Sequence, residues 1–415
     1  MRERVETVVV GCGQAGLAMS YHLGRLGREH LVLERGRIAE RWRSERWDSL
    51  VFQSPSWIMR LPGYRYEGAT PDAFMPRDGV VRFIEDYARL ISPPIRCGIR
   101  VTSLERAESG RLLVETEVFT VEADNVVVAT GPFQSPAVPS FCTELGRSLY
   151  QVTANRYRNP GELPSGAVLV VGCGGSGYQI AEELVQAGRR VYLSVGGHQR
   201  VPRRYRGRDF AWWHETTGAS DRVVEGAAAR ARAPLLTGTE GGHDANPREL
   251  ASRGAFLLGR LQDICGGRLR FVNELEKSLA RGDDAYDIFT RAVDEYIEKH
   301  GLTVAAPPER DRRHAAVPNI AELDARHAGI TSVIWALGYR YDFGWIRCPV
   351  LDPEGRPVHR RGVSEVPGVL FLGLHRLHKL KSAFLWGVGD DAAYLAEHIV
   401  HRASRTMTRG EPMRP

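Results

Sequence analysis

The sequence predicts an α/β protein containing two Rossmann-like dinucleotide-binding domains, and three features carry that reading. A strand-like apolar run that feeds a Gly-x-Gly-x-x-Gly loop and then a helix-like stretch occurs twice, over residues 5–16 and 167–177. The strand that follows the first copy ends in an acid, Glu34, and the one that follows the second does not. A third apolar run, residues 119–130, ends in Ala129, Thr130 and Gly131, and a related run at 330–339 follows the second copy.

The residue types of the first copy match a physical demand. Gly11 permits a tight turn, Gly13 lets a pyrophosphate approach the backbone, and Gly16 permits close packing of helix on strand. Gln14 and Ala15 open the helix, whose N-terminal N–H groups favour an anion. Glu34, followed by Arg35, is placed to accept hydrogen bonds from a ribose diol and would repel a 2′-phosphate, so this site is expected to take FAD or NAD rather than NADP.

The second copy consists of Gly172, Gly174, Gly175, Ser176 and Gly177, and its next strand ends in Ser194, Val195, Gly196 and Gly197. Without an acid, and with Arg200, Arg203 and Arg204 close behind, it is expected to bind NADPH, Arg200 being the first choice for the 2′-phosphate. Cys12 and Cys173 occupy equivalent loop positions and read as small fillers.

The 119–130 run reads as a strand, and Pro132, Pro136 and Pro139 mark a domain boundary after it. The run at 330–339 is expected to return the chain to the first domain. Residues 250–263 and 284–300 read as helices and 269–275 as a strand. The 218–246 stretch, which includes the AAAR segment at 227–230, is weakly periodic and reads as connecting structure or as a substrate-side cap.

Composition excludes several classes. With 415 residues, 43% hydrophobic and 26% charged, the chain is long enough to build its cores without disulfides or a structural metal. Its net charge of +6 is spread along the chain, and 52 of its 56 basic residues are arginines, without a nucleic-acid-binding motif. Six scattered cysteines with no CxxC pair point to a reducing compartment, and the N-terminus carries no signal-peptide pattern, so a cytoplasmic protein without a membrane span is expected.

These motifs, together with RWRSERWDSLVFQSPSWIMRLPG at 41–63, YRNP at 157–160 and ALGY at 336–339, resemble the class B flavoprotein monooxygenases, most of all the compact bacterial YUCCA/CzcO-like proteins. The resemblance implies an NADPH domain inserted into the FAD domain: residues 1–145 and 326–415 for FAD, and 146–325, with a partly helical insertion, for NADPH. It implies that Trp42 and Arg43 lie beside the flavin or its pyrophosphate, that the Gly387–Gly389 region and Asp390 finish the FAD site, with Gly389 or its neighbour in contact, and that Gln53 takes the place of a family asparagine near the reacting flavin. It implies NADPH-dependent transfer of one oxygen atom from a C4a-(hydro)peroxyflavin to a small organic substrate at nitrogen, sulfur or a carbonyl carbon. The partners are then that substrate and molecular oxygen, with a second copy of the chain as a candidate, and neither metal nor nucleic acid is expected.

One further departure, one open assignment and one alternative accompany the resemblance. The family linker pattern FxGxxxH is not matched, and Thr153 stands at its histidine position. His375, His378, Lys379 and Lys381 read either as a solvated basic loop or as a substrate or nicotinamide contact. The alternative function is an NAD(P)H:acceptor flavin oxidoreductase that inserts no oxygen.

Overall fold

Apolar β-branched runs bounded by glycine become the buried, parallel central strands of two sheets. The computed structural model describes residues 2–146, 149–224, 233–309 and 317–410, so the AAAR segment at 227–230 lies outside the described residues. The chain first forms β1 (Arg2–Val10), α1 (Gln14–Arg25), β2 (His30–Glu34), β3 (Val51–Pro55), β4 (Ile95–Cys97) and β5 (Thr120–Val128). It continues through β6 (Tyr150–Thr153), β7 (Ala167–Val171), α2 (Gly175–Gln186), β8 (Val191–Ser194), α3 (Phe210–Thr216), β9 (Phe256–Leu258), α4 (Leu275–His300) and β10 (Ile330–Trp335), and ends with β11 (Val369–Phe371) and α5 (Val388–Gly410).

The parallel part of the first sheet has the order β11–β5–β1–β2–β4, and the second sheet has the order β6–β10–β7–β8–β9. Since β6 to β10 fall between β5 and β11 in sequence, the second Rossmann-like domain is inserted into the first. Both faces of each sheet are covered, which is why Val8, Val9, Val126, Val127 and Val128 are fully buried rather than alternating with polar residues. Helices α1 and α5 pack on one face of the first sheet through Leu17, Met19, Leu23, Leu395 and Ile399. Phe343, Ile346 and the 101–116 hairpin cover the other. Each such apolar side chain contributes about 1.5–3 kcal/mol on burial, enough to fix strand order against weak local propensities.

Two expectations are corrected here. Residues 250–263 are not one helix: Asn246 caps a short helix at Pro247–Ser252, Gly254 turns the chain at φ +104°, and β9 then adds a parallel edge strand beside β8. Residues 330–335 do not return the chain to the first sheet: β10 pairs with β6 and β7 and lies between them in the second. The crossing back follows at Tyr339–Arg340, which pairs antiparallel with Ser135–Pro136, so outgoing and returning strands form one ribbon. The expected helix at 284–300 is the latter part of α4, and the expected strand near 269 spans Arg268–Phe271. Among the described residues, no helix is long and apolar enough to cross a membrane.

Candidate functional site: a cavity shared by two glycine loops

A cavity of about 750 Å³ is walled by both lobes, at the carboxyl ends of the strands where open α/β sheets place their ligands. Gly11, Gly13, Gln14 and Ala15 form one wall and Ser176, from the second glycine loop, reaches the same space.

The glycines divide into two kinds. A Cβ on Gly11, which sits at φ +106°, would lie 2.6 Å from the Ala129 carbonyl oxygen, and one on Gly16 would lie 1.9 Å from that of Gly11. These two are required by the protein's own packing. A Cβ on Gly13 would meet no protein atom within 4 Å. The second loop repeats this atom for atom: Gly172 against the Ala336 oxygen at 2.5 Å, Gly177 against Gly172 at 1.9 Å, and Gly174 open. A bare backbone that the protein does not need bare is what an approaching pyrophosphate requires. Neither α1 nor α2 has an acid in its first turn to offset its positive end.

Glu34 is held by two backbone donors, Cys12 N–H and Gly36 N–H, each at 2.8 Å, and lines the cavity with lone pairs left for a diol. Arg35, Trp42, Ala129, Thr130 and Gly131 line it as well. Arg43 does not: it pairs with Glu85 and donates to the Ile38 carbonyl at 3.1 Å. Gly389 packs on Pro62, and Asp390 pairs with Lys381 at 3.1 Å and Lys379 at 3.4 Å, so the C-terminal block reaches the cavity through Ala383–Trp386 instead. There the Trp386 Nε1–H is buried and has no protein acceptor among the described residues, a donor left for a ligand.

Gln53 stands between the lobes. Its Nε2 lies 3.0 Å from where a Gly175 Cβ would be, so the amide spans from β3 to the second glycine loop. Sequence reasoning missed other wall residues: Ile99, Arg100 and Val101 after β4, and Arg46, whose guanidinium stacks over Trp42 and Phe133 at 5.5 and 5.1 Å. Arg100 and Val101 had no motif to betray them, because a neighbouring parallel strand brings them there.

A family profile described as pyridine nucleotide-disulphide oxidoreductase matches residues 8–207. A CzcO-like oxidoreductase from Geobacillus kaustophilus is 33% identical over 404 residues, covering 97% of this chain and 100% of that one. The chain belongs to the class B flavoprotein monooxygenase family. The rice indole-3-pyruvate monooxygenase YUCCA4 is 31% identical over 206 residues, 45% of this chain and 46% of that protein. A flavin-containing monooxygenase from Stenotrophomonas maltophilia shares the fold at a TM-score of 0.65 and 18% identity, over 97% of this chain and 99% of that one. This class B monooxygenase is therefore a flavin-dependent oxidoreductase.

The lobes of this monooxygenase are tied together at the linker despite its atypical motif. The Tyr157 hydroxyl donates to Glu183 of α2 at 2.7 Å, Ser49 donates to the same carboxylate at 2.6 Å, and the Asn159 amide donates to Asp48 at 2.8 Å. Both loop cysteines are buried, and desolvation pushes the Cys173 thiol up to about 12 and the Cys12 thiol further still, which suits fillers and not thiolate donors.

Arg200, Arg203 and Arg204, which follow β8, do not line the cavity. Arg200 is buried against Asp283 and Tyr286, and Arg203 makes a two-pronged pair with Asp209 at 2.9 and 2.5 Å and donates to the Gln53 carbonyl at 2.7 Å. Arg204 donates to the carbonyls of Gly241 and Gly242, each at 2.8 Å.

Of the basic cluster, Lys379 and Lys381 pair with Asp221, while His375 faces the cavity together with His214 of α3. Surrounding protein lowers the pKa of each imidazole to about 4, so both are neutral at pH 7. A folded pKa below the ordinary 6.5 means that the unfolded chain takes up the proton first, so stability contributed by neutral His214 is present above pH 6.5 and lost as pH falls towards 4. His214→Phe, which keeps the ring stack on Phe210 at 4.5 Å, is expected to flatten the fall of the melting midpoint between pH 6.5 and 4. Parallel midpoint curves for the two proteins would assign the acid sensitivity elsewhere.

Proposed function

We propose that this protein is an FAD-containing, NADPH-dependent monooxygenase that places one atom of molecular oxygen on a small organic substrate at nitrogen, sulfur or a carbonyl carbon. The observation that carries the proposal is the single cavity onto which both glycine loops open, with Gln53 between them. Two electrons from NADPH and one proton balance the reaction, and the second oxygen atom leaves as water.

The Gly11–Gly16 loop and the start of α1 hold the FAD pyrophosphate, Glu34 its ribose diol, and Trp42, Thr130, Gly131 and Ala383–Trp386 enclose its remainder. Gly172–Gly177 and the start of α2 hold the coenzyme pyrophosphate. FAD, when bound, supplies hydride acceptance and activation of oxygen. The chain supplies the rest. Phe52, Phe210, Phe384 and Trp386 exclude water, neutral His214 and His375 offer hydrogen bonds without charge, and the Gln53 amide can donate to an oxygen while its carbonyl accepts.

The test is NADPH oxidation under isotopically labelled oxygen with a panel of amines, thioethers and ketones. One labelled atom in a product, matched to NADPH used, supports the proposal; NADPH use that only ever yields hydrogen peroxide or a reduced acceptor supports the acceptor-oxidoreductase alternative. Gln53→Ala is expected to keep its flavin and to raise the peroxide share of NADPH consumption about five-fold, the effect of losing one hydrogen bond of about 1 kcal/mol. An unchanged peroxide share would remove Gln53 from the chemistry.

A further inference from the structure

We infer that Arg260, which follows β9, is the residue that recognises the 2′-phosphate of the nicotinamide coenzyme. The inference rests on the NADPH reading above and adds the group that makes the choice.

The two Rossmann-like lobes are internal repeats, and the repeat gives Arg260 its place. In the first sheet β2 is flanked by β4, and in the second β8 is flanked by β9 in the same sense. After β4 the chain runs through Gly98, Ile99, Arg100 and Val101, of which the last three line the cavity beside Glu34. The counterpart after β9 is Gly259, Arg260 and Leu261. Arg260 thus occupies, in the second lobe, the segment that borders the acid-bearing strand end of the first.

The acid itself has been exchanged for a device that holds this arginine. Where β2 ends in Glu34, β8 ends in Ser194, which is 2% exposed. Its Oγ donates to the Gly259 carbonyl at 3.0 Å and accepts the Leu261 N–H at 3.0 Å, so one hydroxyl clamps the residues on either side of Arg260. The Arg260 carbonyl is tied in turn by the Val272 N–H at 2.9 Å. The arginine stem lies over Gly196, with Cδ 3.9 Å and Cγ 4.0 Å from where a Cβ would be, two residues past the end of β8. Its head is exposed and, among the described residues, has neither an ion pair nor a hydrogen bond.

The alternatives are committed elsewhere. Arg200 and Arg203 are each buried in a pair with an aspartate, and Arg204 is bound to two carbonyls. An uncommitted guanidinium, fixed at its backbone beside a strand end without a carboxylate, matches a dianionic phosphomonoester on an adenosine ribose.

The test measures binding of 2′,5′-ADP and 5′-AMP to the flavin-loaded protein by calorimetry. Wild type is expected to prefer 2′,5′-ADP. Arg260→Ala should weaken 2′,5′-ADP by about 10- to 100-fold, the loss of charge-assisted hydrogen bonds, while 5′-AMP changes less than about two-fold. Arg260→Lys should recover part of the loss, and Arg260→Glu should reverse the preference. Because the side chain is exposed, these variants should melt with wild type, and circular dichroism checks this. If Arg260→Ala weakens both nucleotides equally, or neither, the assignment of Arg260 fails while a wild-type preference for 2′,5′-ADP leaves the NADPH reading standing. If wild type shows no preference, the NADPH reading falls and Arg260 with it.

Discussion

Gly13→Asp is expected to give a folded protein that retains no flavin. The separation of folding from binding follows from the geometry: a side chain at Gly13 meets no protein atom within 4 Å, and its φ is not in the left-handed region, so neither packing nor backbone opposes the change. On the function proposed above, what the new carboxylate meets is the FAD pyrophosphate at the start of α1, where like charges and bulk both act against binding. An affinity loss of at least about 100-fold, or about 2.7 kcal/mol, is expected, measured as flavin per chain after gel filtration and as flavin retitrated into the stripped protein. Gly16→Ala is the contrasting case. Its Cβ would lie 1.9 Å from the Gly11 oxygen, so it should lower the melting midpoint even of the flavin-free protein. Full flavin occupancy in a well-folded Gly13→Asp protein would show that this loop does not hold the pyrophosphate.

Arg203→Leu is expected to cost about 3–5 kcal/mol of stability, since it strips the largely covered Asp209 carboxylate, 13% exposed, of its partner. Arg203 is 1% exposed, and besides pairing with Asp209 it stacks over Phe74 at 5.0 Å and donates to the Gln53 carbonyl. It thereby joins β3 of the first lobe to the cap of α3, because Asp209 accepts the Ala211 N–H at 2.8 Å. Adding Asp209→Asn should recover much of the loss, since asparagine still caps the helix and carries no charge. Lys379→Ala makes the useful control. Its partner Asp221 is 49% exposed, and loss of such a pair is worth about 0–1 kcal/mol. Urea denaturation followed by circular dichroism measures all four proteins. A single Arg203 variant within about 1 kcal/mol of wild type would mean that the buried pair does not hold this junction.

Much of the fold and part of the site can be read from local pattern, because some positions are dictated by backbone geometry within a few residues. Turn, cradle and helix start are all encoded in Gly11–Gly16 and again in Gly172–Gly177, and Glu34 and Ser194 mark the strand ends beside them. Such short-range constraints need no partner from elsewhere in the chain. Sheet membership is different. The run at 330–335 is apolar enough for either sheet, and it joins the second because β6 and β7 offer it two hydrogen-bonding edges. The 250–263 segment carries helix-forming residues, yet an open edge beside β8 and the turn at Gly254 draw its second half into strands.

The arginines show the same division most sharply. Nearness in sequence to the end of β8 favours Arg200, but burial beside Asp283 commits that guanidinium, whereas a strand paired in parallel brings Arg260 to Gly196 from more distant sequence. What the sequence by itself determined was the two glycine cradles, since those depend on the residues' own backbone. Which lobe receives each strand, and which of the arginines that follow β8 and β9 are tied to a counter-charge, only the tertiary structure decided, because hydrogen-bonding edges and counter-charges come from residues far along the chain.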